Sequence, residues 1–345
     1  MKADFELAPP LQQIDRTYVL WRGQKLSYFG GCDYFRLSSH PRILASIREG
    51  LQRYGLSVSA SRVTTGNHPL YEELETRIAD YFGFPKAVFV PSGYIANLIV
   101  AEALAGEFDV AYIDEKAHPS LQTAVRLLGC RVISFQHLKM GRRASPRAIT
   151  ATEGLFGQDG AMAPLNEYLR TGARLWVDDA HGAGLLETTE SSPRMIKTVT
   201  FSKAFGVYGG AILCSAALAK RIVSTRIFAG QTPLPLPLAH ACLEAMDLLK
   251  QGSPLRKRLR ENVDYIGAST PIIQIAPGSA SLKRRLLRNK IFPTWIRYPG
   301  GPIGGSFRFA ISSEHTREQL DLLAGVLASE LHPRRPVGRV LPISR

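Results

Sequence analysis

The apolar positions of the chain change period along its length. In residues 41–54 they recur at Ile43, Leu44, Ile47 and Leu51, a helical spacing, with Gly55 following as the stop. Leu70, Leu74, Ile78 and Phe82 form a second stripe at i, i+4 spacing that ends before Gly83. From residue 87 onward, short apolar runs at 87–90, 110–113, 131–135, 148–153, 175–178, 199–201 and 210–214 alternate with helical stretches. That alternation predicts an α/β domain, a mostly parallel seven-stranded sheet covered by helices. Pro233, Pro235 and Pro237 mark a rigid break before a helix at 240–250, so the large domain is expected to span 41–240. Residues 241–331 then read as a smaller α+β domain, with strands at 272–275, 295–298 and 307–311 and a helix at 316–331. Residues 1–40 read as an arm of short strands and loops, and 332–345 as a basic tail.

Composition narrows the class without naming it. The 345 residues are 45% hydrophobic and 21% charged, ordinary for a globular protein of one large and one smaller domain. The first residues contain no basic region leading into an apolar run, and no stretch is apolar enough to span a bilayer, so neither a signal peptide nor a membrane partner is expected. Cys32, Cys130, Cys214 and Cys242 lie far apart and form no CxxC pair, which argues against a zinc knuckle and suits a reducing cytoplasm. The net charge of +14 is concentrated late, at Arg256–Arg260, at Lys283–Lys290 and in the tail. These clusters read first as solvated helix faces, next as attraction for an anionic substrate, and last as a nucleic-acid surface, because no aromatic-rich motif accompanies them.

Three stretches carry candidate chemistry. Residues 198–201 deliver Lys203 into a segment of small residues, followed by Gly206, Gly209 and Gly210. Its neighbours are Ser202, Ala204 and Phe205, with no acid close in sequence. Loss of hydration there lowers a lysine's pKa and lets the amine hold an aldehyde as a Schiff base. Taken alone, Ser-Lys-Ala reads as a surface turn. The apolar run 175–178 ends in Asp178 and Asp179, with His181 following, at the strand end where open α/β sheets place ligands. Phe89-Val-Pro-Ser-Gly-Tyr is a strand and a tight turn leading into a helix, whose first N–H groups suit a phosphate. A phosphate cradle, an acid and a lysine are what pyridoxal phosphate requires, the acid keeping the pyridine nitrogen protonated so that the ring acts as an electron sink.

With these stretches the chain resembles the α-oxoamine synthases, a branch of the aspartate-aminotransferase-like (fold type I) pyridoxal-phosphate enzymes, over residues 28–327. The resemblance implies a cofactor covalently held by Lys203, with Asp178 at the ring nitrogen, His118 stacked on the ring and His181 at the phenolic oxygen. It implies phosphate and ring-edge contacts from Ser92, Gly93, Tyr94 and Thr200, and, by a loose alignment, a contact from Thr232 to the neighbouring subunit's phosphate. Arg308, flanked by Phe307 and Phe309, matches the arginine that grips the substrate carboxylate. The implied reaction condenses an amino acid with an acyl-CoA and releases CO2, with Lys203, His118 and Asp178 as the catalytic residues of a homodimer whose active site lies at the subunit interface. Four positions depart from the pattern: Arg36 replaces a glycine, Ala161 replaces an acid, and two more lie at the expected substrate and cofactor contacts. Cys32 replaces an asparagine expected at the carboxylate, and Gly157 replaces a serine expected near the phenolic oxygen. An aminotransferase using the same cofactor atoms, or a non-enzymatic relative of the same fold, are the alternatives those departures keep open.

Overall fold

The computed structural model describes residues 7–8, 10–141, 147–185, 191–250, 253–297 and 301–331. The arm forms a small antiparallel sheet of β1 (Gln12–Asp15), β2 (Tyr18–Trp21) and β3 (Gln24–Ser27). Two helices follow, α1 (Pro41–Tyr54) and α2 (Pro69–Phe82). Each starts at a histidine whose ring accepts a backbone N–H, with proline in the first turn, and each ends at a glycine with positive φ, Gly55 at 68° and Gly83 at 67°. The stripe on α2 is wholly buried, whereas Leu44 and Leu51 of α1 are 40% and 44% exposed, so α1 turns only part of its stripe inward.

The chain then alternates through β4 (Lys86–Val90), α3 (Gly93–Leu104), β5 (Val110–Asp114), α4 (Pro119–Arg126), β6 (Arg131–Phe135), β7 (Ala148–Glu153), α5 (Leu165–Arg170), β8 (Arg174–Asp178), β9 (Met195–Thr200) and β10 (Gly210–Cys214). The seven strands form one sheet in the order β4-β10-β9-β8-β7-β5-β6. Only β10 runs against its neighbours, so the sheet is mostly parallel, as the alternation predicts. Successive strand residues feed two apolar layers, Phe89, Val177 and Val199 on one face and Val90, Trp176 and Ile196 on the other. The carboxyl ends of β4, β5, β7, β8 and β9 and the start of β10 therefore share one edge of the sheet.

After β10 come α6 (Ala216–Ile222), α7 (Arg226–Gly230), α8 (Leu236–Leu248), α9 (Pro254–Tyr265), β11 (Ile272–Ile275), α10 (Ala280–Arg288), β12 (Trp295–Ile296), β13 (Ser306–Ala310) and α11 (Arg317–Leu331). The last three strands pair in the order β11-β13-β12. The arm joins this C-terminal part of the chain: Ala310 N donates to Phe29 O at 2.7 Å and Ser27 N to Lys290 O at 2.7 Å. Among the described residues no helix is long and apolar enough to cross a membrane.

Three expectations shift. The strand expected at 199–201 begins at Met195, because Lys197 lies inside it and is only 2% exposed, its charge met by Asp179 Oδ2 at 3.3 Å. The helix expected at 240–250 begins at Leu236, since proline is tolerated at a helix start. That helix packs on α1, with Gly50 against the Pro237 backbone. The strand at 295–298 is resolved as Trp295–Ile296, and Tyr298 and the tail 332–345 lie outside the described residues.

Candidate active site

β8 brings Asp178 to the shared edge, and the neighbouring elements hold its carboxylate. Asn97 Nδ2, on α3, donates to Asp178 Oδ2 at 2.7 Å, and the Ala180 N–H donates to Oδ1 at 3.2 Å. Asn97 is fully buried; its Nδ2 also donates to Ser120 Oγ at 3.0 Å and its Oδ1 accepts from Thr198 Oγ1 at 2.7 Å. Ser120 in turn lies 2.7 Å, through Oγ, from His118 Nδ1, which accepts the Ser120 N–H at 3.2 Å and caps α4. Burial first, and the Lys203 charge with it, push the His118 imidazole below its usual pKa, against the pull of Asp178. Asp178 is thereby fixed in the same polar chain that orients His118.

The other end of the site is a helix start. Ser92 caps α3 by accepting the Ile95 N–H at 3.2 Å, and the first N–H groups of the helix have no partner within it. Thr200 closes the floor, donating to Gly209 O at 3.1 Å and lying 2.8 Å from Ser202 Oγ. A Cβ on Gly93 would sit 3.0 Å from Thr200 Cβ, and one on Gly210 would come under 3.0 Å of the Ser92–Gly93 peptide. Glycine at both places lets strand and helix start approach closely enough to leave a small polar cradle.

Lys203 is half-buried and lines a cavity of about 220 Å³ together with Ser92, Gly93, Tyr94, His118, Asp178 and Thr200. Seven of the residues expected at the cofactor thus converge on one space. Asp179 does not face it; it lies buried against Lys197, and burial raises its pKa. His181 is buried outside the lining, its Nδ1 2.7 Å from Tyr34 Oη, and burial followed by the charges of Lys203 and Arg308 holds it well below the ordinary imidazole range. Thr232 is exposed and lines no part of this cavity. Arg308 is half-buried in the middle of β13; Nη1 donates to Gly157 O at 2.9 Å and Nη2 to Cys32 Sγ at 3.5 Å. Cys32 lines a second opening of about 640 Å³ with Arg16, Arg36 and Tyr208, and Ser202 borders both spaces.

The structure adds Asn97, Ser120, Glu153 and Tyr34 to the residues expected from the sequence. Glu153 ends β7 inside the cavity, 4% exposed, accepting the Gly157 N–H at 2.9 Å. Burial and then the Asp178 charge push its carboxyl up to about 8. Asn97 left one trace in the sequence, a lone amide in the apolar helical run 95–100.

The donor set fits pyridoxal phosphate: an amine, a carboxylate held by two donors and a glycine-lined helix start share one cavity. Residues 32–327 match the family described as aminotransferase class I and II. The chain belongs to that family. The 8-amino-7-oxononanoate synthase of Methylorubrum populi is 34% identical over 337 residues, covering 90% of this chain and 86% of that one. That of Methylobacterium nodulans is 32% identical, covering 89% and 87%. Among solved structures, the Sphingomonas wittichii serine palmitoyltransferase superposes with a TM-score of 0.81 at 22% identity, covering 92% of this chain and 90% of its own. The Francisella tularensis 8-amino-7-oxononanoate synthase gives 0.77 at 24%, covering 89% and 98%. The fold is the aspartate-aminotransferase-like α/β architecture of the fold type I enzymes.

Proposed function

We propose that this protein is a pyridoxal-phosphate-dependent acyltransferase that condenses an amino acid with an acyl-CoA and releases CO2, of the 8-amino-7-oxononanoate synthase type. The observation that carries the reading is the convergence of Lys203, Asp178 and the α3 start on one cavity of about 220 Å³, in a chain about one third identical to enzymes of that name.

Ser92, Gly93 and Thr200 would hold the phosphate, Asp178 the ring nitrogen and His118 the ring face, with Lys203 as the covalent anchor. Bound there, the cofactor supplies an electron sink that stabilises negative charge on the amino acid's Cα. Asn97 keeps the Asp178 carboxylate oriented, and that negative charge favours the protonated ring nitrogen. Lys203 Nζ would serve as the base that takes the Cα proton. Arg308, aimed by Gly157 O and Cys32 Sγ, offers its guanidinium to the substrate carboxylate. The larger opening beside Ser202 admits the acyl thioester, and Arg16 and Arg36 on its wall suit an anionic coenzyme.

The same reading has the enzyme act in the cytoplasm as a homodimer, with the exposed Thr232 reaching the partner subunit. Two assays test it. Borohydride reduction followed by peptide mapping should fix the cofactor on Lys203, and coenzyme A should be released across a panel of amino acids and acyl thioesters. Label on another lysine removes the site. Amino-group exchange without coenzyme A release makes the protein an aminotransferase instead.

A further inference from the structure

Gly157 sits at the meeting point of three functional groups. Its N–H donates to Glu153 Oε2 at 2.9 Å, and its carbonyl accepts Arg308 Nη1 at 2.9 Å. On its side-chain face stands the His181 imidazole: a Cβ built on Gly157 would fall under 3.0 Å from Nε2, Cδ2 and Cε1 of that ring. The backbone does not explain the glycine, because Gly157 is not among the glycines with positive φ. Space explains it. The ring has little freedom to yield, since His181 is only 4% exposed and its Nδ1 is held 2.7 Å from the hydroxyl of Tyr34, itself 1% exposed. A side chain at 157 must push the imidazole off Tyr34 or move its own peptide, and moving the peptide takes the carbonyl away from Arg308.

We propose that Gly157 is a positioning residue that couples His181 to Arg308, its missing side chain seating the imidazole and its carbonyl aiming the guanidinium. The inference rests on the reading of Arg308 as the carboxylate clamp. Position 157 then governs amino-acid recognition without touching the amino acid, and the serine of the family's pattern is incompatible with His181 in this seat. Cys32, another departure from that pattern, receives the second arm of the same guanidinium at 3.5 Å, so these two departures meet on Arg308.

The test is a double-variant cycle with Gly157→Ala, His181→Ala and their combination. Two readouts are used: amino-acid titration of the holoenzyme, followed by cofactor absorbance with glycine, alanine and serine, and the melting midpoint of the cofactor-free protein. Gly157→Ala should weaken amino-acid binding by about tenfold, the loss of one charged hydrogen bond, and should lower the midpoint. In the His181→Ala background, where the ring is gone, the same change should alter neither quantity. Equal effects of Gly157→Ala in both backgrounds, or none in the parent, overturn the inference. If Gly157→Ala does not fold, folding of the double variant supports the steric coupling and its failure to fold overturns it. A protein that binds no cofactor would sink the proposed function, yet the melting cycle would still decide for or against the seat of His181.

Discussion

Asn97→Leu tests the polar chain beneath the cavity, because leucine keeps the amide's size and removes its hydrogen bonds. Three bonds go: to Asp178 Oδ2 at 2.7 Å, to Ser120 Oγ at 3.0 Å and from Thr198 Oγ1 at 2.7 Å. Ser120 keeps His118, and Asp178 keeps the Ala180 N–H, so two groups lose most: one carboxylate oxygen and the Thr198 hydroxyl. Loss of a bond to a charged group costs about 1.5–3 kcal/mol, and the Thr198 hydroxyl, left with only the distant Val177 carbonyl at 3.5 Å, about 1 kcal/mol more. Burial of the new methyl groups offsets on the order of 1 kcal/mol. The net expectation is a loss of about 1.5–3 kcal/mol in urea unfolding of the cofactor-free protein, together with weaker cofactor binding. Asn97→Asp sharpens the test. It sets a second carboxylate against Asp178, and two charges about 4 Å apart cost about 4 kcal/mol at an effective dielectric near 20. That variant should be less stable at neutral pH and recover on acidification, as one carboxyl takes up a proton. A loss below about 1 kcal/mol for Asn97→Leu, with unchanged cofactor affinity, would refute the idea that Asn97 holds Asp178.

His137 links Asp114, at 2.9 Å, to Asp159, at 3.3 Å; burial alone would lower its pKa, but these two carboxylates lift it to about 9. A raised histidine contributes stability that is full below its unfolded pKa of about 6.5 and is lost as pH rises through about 9, so melting curves of the parent should decline across that window more steeply than those of His137→Gln. Glu153 is likewise raised to about 8, so it favours the fold most below its unfolded pKa and loses that contribution as pH climbs to about 8; Glu153→Gln should flatten that part of the profile. Asp178→Asn should retain the fold and lower turnover by about 10²–10³, comparable to one preorganised donor, and near-normal turnover would assign the role elsewhere. Cys32→Asn should strengthen binding of alanine and glycine by about 1 kcal/mol in spectral titration, since an amide is a better donor than a thiol; unchanged or weaker binding would place Cys32 away from the carboxylate.

The sequence by itself determined the strand and helix alternation, and hence the shared edge of the sheet. It also singled out Lys203, Asp178 and the Ser92–Gly93 turn as candidates, because each is a local feature: a residue at a strand end or helix start is placed by its neighbours in the chain. The resemblance put the role on Asp178 rather than Asp179, and in the fold Asp178 faces the cavity while Asp179 meets Lys197. The same ion pair hid the first half of β9, since a lysine in a strand reads as polar until its distant partner is known. Asn97, 81 residues from Asp178, and Arg308, 151 residues from Gly157, act through partners that no local pattern names. The Tyr34–His181 contact spans 147 residues and brings the arm into the site. Tertiary structure decided these because hydropathy and spacing report which residues are buried, whereas a buried polar group takes its role from the partner that folding sets beside it.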